Sequence, residues 1–253
     1  MLDKVYVFDF DGVVCDSTNE CMITSWNTWQ KWNHKDLKRK SVAEFSSEEI
    51  SEFRKLRPRV RGAGEYFILN IILDKRIEIK NQEDYEILLE SYKENIPKFK
   101  KLFLEEREVF RKEYPTDWIL LHTVYEEVIE VLRSINSEGK LYIATLKDFL
   151  SIRMILDYYS VGIPDERIFD ESRIRSKFDA LQQILKISTS LKRDFLFFDD
   201  NVTHLYESYA DGFNVYLTAW SNPIPEYLEE AFKKNIPIIR DFKQLYSIIN
   251  KGT

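Results

Sequence analysis

The sequence predicts an α/β fold with a mostly parallel sheet, helices on both faces of that sheet, and an inserted all-helical region. Three observations support this prediction. An apolar strand at the start ends in acidic residues, residues 17–114 have helical periodicity, and residues 115–250 alternate between strand-like and helix-like segments. Such alternation is typical of a parallel sheet covered by helices. The predicted domains are a sheet domain over 1–16 and 115–253 and a helical domain over 17–114.

The composition argues against general nucleic-acid binding and against a membrane protein. The 253 residues include 37 Lys and Arg and 43 Asp and Glu, so the net charge is −6. No apolar run is long enough to span a membrane, and charged residues interrupt the start where a signal peptide needs an apolar run. Cys15 and Cys21 match no zinc-ligand spacing and are interpreted as reduced thiols. We therefore expect a cytoplasmic protein.

The first strand leads into Asp9, Asp11 and Gly12. Because side chains alternate along a strand, Asp9 and Asp11 leave the same face, at the strand end where open α/β sheets bind ligands. Two adjacent carboxylates need a cation or a shared proton, and Mg²⁺ takes oxygen ligands. One alternative is a helix cap in which Asp11 only serves backbone amides. A calcium loop is excluded, because the glycine comes too early and a strand precedes the acids.

The helical domain contains an arginine-rich loop that could bind an anion. Arg57, Arg59 and Arg61 alternate through a segment marked by Pro and Gly. Arginine suits phosphate or carboxylate recognition, so Arg59 and Arg61 are predicted substrate-binding residues. The alternative is a solvated basic turn. Helices are predicted over 17–33, 47–56, 64–73, 82–95 and 97–114, with Trp26, Trp29 and Trp32 forming a core-facing stripe on the first.

The second half of the chain alternates between helices and strands. Helices are predicted over 123–138 (with Gly139 just past the end), 148–159, 177–187, 202–210, 226–233 and 242–250. Strands are predicted over 140–145, 167–169, 194–200, 213–217 and 236–239.

Polar residues follow three of the predicted strands. They are Asp9 with Asp11, Thr145, and Asp199 with Asp200, and Lys177 opens a helix between the last two. In phosphate-ester chemistry, one carboxylate can attack phosphorus and a second can act as general acid and base. A hydroxyl and an ammonium can hold phosphoryl oxygens, and a further acid pair can complete a Mg²⁺ site. A parallel sheet can bring these strand ends to one edge.

These motifs resemble those of the haloacid dehalogenase superfamily of phosphohydrolases. The match runs in order through Asp9–Asp11–Gly12, Thr145, Lys177 and the pair Asp199–Asp200. An insertion between the first two motifs resembles the C1-capped subfamily, whose relatives include phosphoglycolate phosphatase and β-phosphoglucomutase. The resemblance implies a Rossmann-like core with a helical cap.

The resemblance also implies a role for each matched residue. Asp9 would be the nucleophile and a metal ligand, and Asp11 the general acid and base with its backbone carbonyl on the metal. Thr145 and Lys177 would hold the phosphoryl group, with Lys147 the alternative lysine. The metal would be Mg²⁺, held by Asp9, Asp11, Asp199 and Asp200.

The last motif departs from the family pattern. Phe198 stands where a glycine often precedes the acids, and Thr203 and His204 stand where a further acid or amide often follows.

The resemblance predicts a Mg²⁺-dependent phosphatase acting on a small phosphorylated metabolite. Two alternatives remain at this point. One is a phosphomutase or phosphotransferase that passes the phosphoryl group to a sugar hydroxyl, and the other is a catalytically weak binding protein with the same fold.

Overall fold

A computed structural model describes residues 4–136 and 140–251, with the side chain of Lys251 excepted. The chain divides into two compact units. The core unit comprises Met1–Asp16 and Thr123–Thr253, and the helical unit comprises Ser17–His122. The predicted domain boundary between residues 114 and 115 falls inside the helical unit. The reason is a short helix over Pro115–Leu120 that packs on the preceding long helix and buries Trp118.

The described part of the core unit contains a parallel six-stranded sheet and a two-stranded antiparallel pair. The order in the large sheet is β5-β4-β1-β6-β7-β8, so the first strand lies in the middle. The pair joins β2 to β3, with Asp16 opposite Thr123. The strands are β1 Val5–Phe8, β2 Cys15–Asp16, β3 Thr123–Val124, β4 Leu141–Ala144, β5 Ile168–Phe169, β6 Phe195–Asp199, β7 Asn214–Thr218 and β8 Ile238–Ile239.

Twelve α-helices occur in the described residues. Those of the helical unit are α1 Thr18–Trp32, α2 Ser47–Leu56, α3 Tyr66–Lys75, α4 Gln82–Ser91, α5 Ile96–Glu113 and α6 Pro115–Leu120. Those of the core unit are α7 Glu126–Asn136, α8 Phe149–Tyr158, α9 Lys177–Ser188, α10 Val202–Ala210, α11 Pro225–Lys233 and α12 Phe242–Lys251. The predicted end of α7 at Glu138, with Gly139 beyond it, lies outside the described residues.

Both faces of the large sheet are buried. Val5 and Val7 of β1 belong to a core cluster with residues of α9 and α10. Tyr6 and Phe8, which alternate with them, are also buried, and Phe8 stacks on Phe198 of β6. A strand buried on both faces needs apolar residues at every position, which explains the unbroken apolar sequence of β1. The α/β class with a mostly parallel sheet is confirmed.

The helical unit is held by aromatic packing and by a buried ion pair between Arg107 and Glu20. Phe99 and Phe103 of α5 are fully buried. Arg107 of α5 donates to both carboxylate oxygens of Glu20 on α1, at 2.9 and 2.8 Å. Because Glu20 is fully buried, the bidentate pairing is needed to offset the cost of burying its charge. Among the described residues, no helix has the length and apolar character needed to cross a membrane.

Candidate active site

The three polar residues at strand ends lie at the same edge of the sheet. Asp9 follows β1, Thr145 follows β4, and Asp199 is the last residue of β6. Since β1 pairs in parallel with both β4 and β6, the carboxyl ends of these strands are neighbours. Ligands of open α/β sheets bind at such an edge.

Lys177 connects the two acidic strand ends. Its Nζ lies 2.5 Å from Oδ1 of Asp9 and 3.1 Å from Oδ2 of Asp199, and it donates to the carbonyl of Ala144 at 2.8 Å. Lys177 is the first residue of α9, whose N-cap Ser176 accepts from the backbone N–H of Asp179. The helix start therefore aims the lysine into the sheet edge, and all three charged groups are buried.

The carboxyl groups of Asp9 and Asp199 differ in pKa, because burial, their mutual repulsion and their neighbours act on them unequally. Burial raises the pKa of Asp9, Lys177 opposes that rise, and the neighbouring Asp199 adds to it. Burial also disfavours ionised Asp199, but Lys177, His204 and the amide of Asn201 hold its pKa at about 2. The pKa of Lys177 is raised because the two carboxylates outweigh the effect of its burial. One buried cation thus faces two acids of unequal strength.

Asp9 and Asp199 also form a cluster with His204 that could hold a metal ion. One ligand atom from each residue lies within 4.8 Å of the others. The imidazole Nδ1 of His204 lies 3.2 Å from Oδ1 of Asp199. Two carboxylates with one neighbouring ammonium leave a net negative charge, and carboxylate oxygens suit Mg²⁺. The donor set therefore fits a divalent cation, with His204 suited to orienting Asp199 more than to binding Mg²⁺ directly.

Asp11 and Thr145 are associated with a second buried lysine. Nζ of Lys147 donates to Oδ1 of Asp11 at 3.1 Å, and the backbone N–H of Lys147 donates to Oγ1 of Thr145 at 3.3 Å. The side chain of Asp11 remains about one-fifth exposed, whereas Lys147 is fully buried. Lys177 and Lys147 therefore contact different acids of the first motif.

Asp200 lies beside the turn that follows β1. Gly12 has φ +80°, and a Cβ placed on it would lie 1.9 Å from Oδ2 of Asp200. That oxygen also accepts from the hydroxyl of Ser221 at 3.2 Å. The turn requires glycine both for its backbone conformation and for the close approach of Asp200. In the described residues, neither Asp200 nor Asp11 belongs to the cluster of Asp9, Asp199 and His204.

Arg59 and Arg61 belong to the helical unit, where acidic or amide groups already contact them. Arg59 is buried and donates to Oε1 of Gln82 at 3.1 Å. Arg61 pairs with Glu65 at 3.1 Å and with Glu86 at 3.0 Å. These contacts differ from the solvated turn that was the alternative interpretation. Substrate binding by Arg59 and Arg61 stays a prediction.

Sequence reasoning did not identify the positions of His204 and Lys147. His204 stands where the family pattern has a different residue, and the signal that could have found it is its spacing, five residues after Asp199 at the start of α10. Because α10 begins soon after β6 ends, the first turn of this helix brings the His204 side chain next to Asp199. From spacing alone, Lys147 is only an alternative to Lys177, because spacing does not show that two lysines contact two different acids.

Comparisons with known proteins agree with this geometry. The family model described as haloacid dehalogenase-like hydrolase matches residues 4–205. A search of curated proteins found no match. Similar solved structures include a predicted phosphatase from Clostridium acetobutylicum, with TM-score 0.63, 15% identity and coverage of 99% of this chain and 100% of that one.

Two further structures share the fold over nearly their whole length. A hydrolase from Pseudomonas syringae has TM-score 0.61 and 12% identity, covering 98% of each chain. A predicted phosphoglycolate phosphatase from Haemophilus somnus has TM-score 0.60 and 16% identity, covering 98% of this chain and 99% of that one. At such identities, these likenesses show a shared fold.

Proposed function

Because this chain belongs to the haloacid dehalogenase-like hydrolase family, we propose that it hydrolyses a small phosphomonoester through a phosphoaspartate at Asp9. The observation that carries the proposal is the contact of Lys177 with both Asp9 and Asp199 at the sheet edge. A buried carboxylate beside an ammonium can attack an electrophile while the ammonium holds the anionic oxygens of the substrate.

In the first step, a carboxylate oxygen of Asp9 attacks phosphorus and forms a new P–O bond. The bond from phosphorus to the ester oxygen breaks, and Asp11 gives its proton to the leaving alkoxide. Lys177 and Thr145 hold the phosphoryl oxygens as charge develops on them. Lys147, which donates to Asp11, keeps that carboxyl group in place.

In the second step, Asp11 takes a proton from a water molecule as that water attacks phosphorus. The bond between phosphorus and Asp9 breaks, so inorganic phosphate leaves and both aspartates return to their starting state. The same residue thus acts as acid and then as base.

Asp9 and Asp199 are the proposed ligands of Mg²⁺, with the backbone carbonyl of Asp11 and the carboxylate of Asp200 completing the predicted set. A divalent cation there would neutralise phosphoryl oxygens and favour the ionised form of Asp9. His204 is a proposed positioning residue, since its imidazole hydrogen-bonds to Asp199.

The substrate class is a small phosphorylated metabolite. The name of the Haemophilus somnus neighbour makes phosphoglycolate one compound to test. The family resemblance implies that the helical insertion selects the substrate. We propose that Arg59 and Arg61 bind a second anionic group of that substrate. A cytoplasmic location stays a prediction.

A phosphate-release screen with added Mg²⁺ tests the proposal. The substrates are p-nitrophenyl phosphate, sugar phosphates, nucleotides and phosphoglycolate. We expect Asp9→Asn to lower kcat on the order of 10³-fold or more, because an amide cannot act as the nucleophile.

The matched control is Asp157→Asn, which changes an exposed acid that pairs with Arg153 on the surface. It should leave kcat within about twofold. Phosphate release that survives Asp9→Asn would exclude the phosphoaspartate. Isomerisation of a sugar phosphate without phosphate release would indicate the mutase, and no turnover of any substrate would indicate a binding protein.

A further inference from the structure

The helical unit contains a cavity of about 620 Å³ that the proposed function does not use. Parts of α1, α2 and α3 line it, together with the segment that follows α3. Small-molecule sites in proteins typically measure roughly 300–1,000 Å³, so the cavity is large enough for a ligand.

Aromatic rings form the apolar wall of this cavity. Trp26 and Trp29 of α1 contribute, with Phe45 and Phe53. The two tryptophans were predicted to face a core, but each is only partly buried. Trp26 packs edge-on against Phe45, with ring centroids 6.1 Å apart. An accessible wall of this kind can receive a flat apolar group.

A buried carboxamide also lines the cavity. Gln30 lies one turn of α1 beyond Trp26 and is 8% exposed. Among the described residues, its side chain makes no hydrogen bond or ion pair. The amide of Gln30 is not among the fully buried polar groups that lack a partner, so part of it stays accessible from the cavity. An accessible amide with no partner in the described residues can hydrogen-bond to a polar group of a ligand.

The charge around the cavity favours a cation. Five of its lining residues are acidic and two are basic. The acids are Glu48, Glu49, Glu52, Asp74 and Glu78, and the bases are Lys55 and Arg76.

Arg39, a cationic residue of the protein itself, already contacts aromatic and acidic residues that line this cavity. The guanidinium carbon of Arg39 lies 4.3 Å from the ring centroid of Trp26 and 4.2 Å from that of Phe45. Arg39 also pairs with Glu49 at 2.8 Å. Aromatic faces and acids thus act together on a positive charge in this part of the helical unit.

We propose that this cavity is a binding site for a small organic cation with an aromatic body. The ring would lie against Trp26 and Trp29, Gln30 would hydrogen-bond to the ligand, and the acidic rim would select its positive charge. The proposal is independent of the phosphatase chemistry of the core unit.

Isothermal titration calorimetry on the full chain tests the proposal with two matched probe pairs. Tryptamine and phenethylamine are the cations, and indole-3-propionate and 3-phenylpropionate carry the same rings with a negative charge. We expect saturable binding of the amines with one site per chain. The carboxylates should bind at least about tenfold more weakly, because the rim repels them.

Two variants locate the site. Gln30→Met removes the carboxamide at similar volume and should weaken amine binding about tenfold, the effect of one lost hydrogen bond to a charged group. Glu52→Gln removes one rim charge from an exposed position and should weaken it about twofold to threefold. Glu94→Gln, an exposed acid outside the cavity, is the matched control and should change nothing.

Several results would overturn the proposal. They are no saturable binding of either amine up to about 10 mM, equal affinity for the carboxylates, or unchanged affinity in folded Gln30→Met. If Gln30→Met does not fold, Glu52→Gln and the comparison of amines with carboxylates decide the matter. In that case, equal amine affinity of Glu52→Gln and Glu94→Gln counts against the site.

Discussion

Lys177 is the residue on which the charge balance of the sheet edge depends. Its ammonium is fully buried and lies within hydrogen-bond distance of two buried acids, Asp9 and Asp199. Among the described residues, it is the lysine that contacts both acids. Removing one member of a buried ion pair leaves an uncompensated charge, which is costlier than losing the pair altogether.

We predict that Lys177→Met lowers the free energy of unfolding by about 3–5 kcal/mol in EDTA. Added Mg²⁺ should stabilise this variant more than the wild type, since a cation can replace the missing ammonium. Chemical denaturation with and without Mg²⁺ measures both effects. The control is Lys186→Met on the exposed side of the same helix. Equal stability of the two variants in EDTA would show that the Lys177 ammonium does not compensate the charges of Asp9 and Asp199.

The sequence was sufficient to predict which residues end the strands and that these ends share one edge of the sheet, but not every side-chain contact there. Asp9, Asp199 and Lys177 could be identified because each stands at the end of an apolar strand or the start of a helix. The contact of His204 with Asp199 depends on how the first turn of α10 leaves β6, and no pattern of residue types specifies that angle. The pairing of Lys147 with Asp11 likewise depends on the path of the chain after β4.

Among the elements, α5 carries two sets of charged contacts in the helical unit, Arg107 with Glu20 and Glu106 with two lysines. Glu106 is buried and accepts a hydrogen bond from Lys31 at 2.9 Å, while Lys38 lies 3.2 Å away. Burial opposes ionisation of Glu106, but the two lysines hold its pKa below the ordinary value of 4.5. A carboxyl with a lowered pKa stabilises the folded state above its ordinary pKa and loses that contribution as pH falls.

We therefore predict that the cost of Glu106→Gln depends on pH. At pH 7 the variant should be less stable by about 1 kcal/mol or less, since both lysines are half exposed and solvent screens them. As pH falls from about 6 to about 3, the difference from the wild type should shrink, because the wild type loses the same interaction. Urea denaturation at each pH measures this. Glu94→Gln is the control and should show no such trend. A stability difference between Glu106→Gln and the wild type that grows at low pH would show that the pKa of Glu106 is not lowered in the folded state.

Element prediction succeeded best where helix signals were local. α2 and α10 have the predicted bounds, because capping residues precede their first turns: Ser46 accepts from Glu49 N–H, and Asn201 accepts from Thr203 N–H. The helix α6 and the pair β2–β3 were missed. Each is too short for a periodic pattern, and β2 pairs with a segment more than a hundred residues away, which local sequence cannot reveal.

At the scale of the whole molecule, the helical unit is an insertion whose ends are adjacent. The chain leaves the core unit after Asp16 and returns at Thr123, and these two residues are opposite each other in the β2–β3 pair. All strands of the large sheet belong to the core unit. The insertion therefore contributes no strand to that sheet.

We predict that replacing residues 17–122 with a short Gly-Asn-Gly linker yields a core unit that folds. A two- to five-residue loop is enough to join antiparallel strands, so the linker can close the β2–β3 pair without strain. Circular dichroism and a cooperative thermal transition measure folding. The comparison is a chain with the same linker inserted between Asp16 and Ser17 and nothing removed. An unfolded deletion variant beside a folded insertion variant would show that the sheet needs the helical unit.

Both outer strands of the large sheet, β5 and β8, are only two residues long. Unpaired backbone groups on a sheet edge are templates to which another chain can add, and a long exposed edge invites fibril growth. Edges of two residues offer few such groups, so a second copy gains little by adding a strand there. The apolar strands β1 and β6 are central in the sheet and paired along both edges, so neither offers an open edge to a second copy.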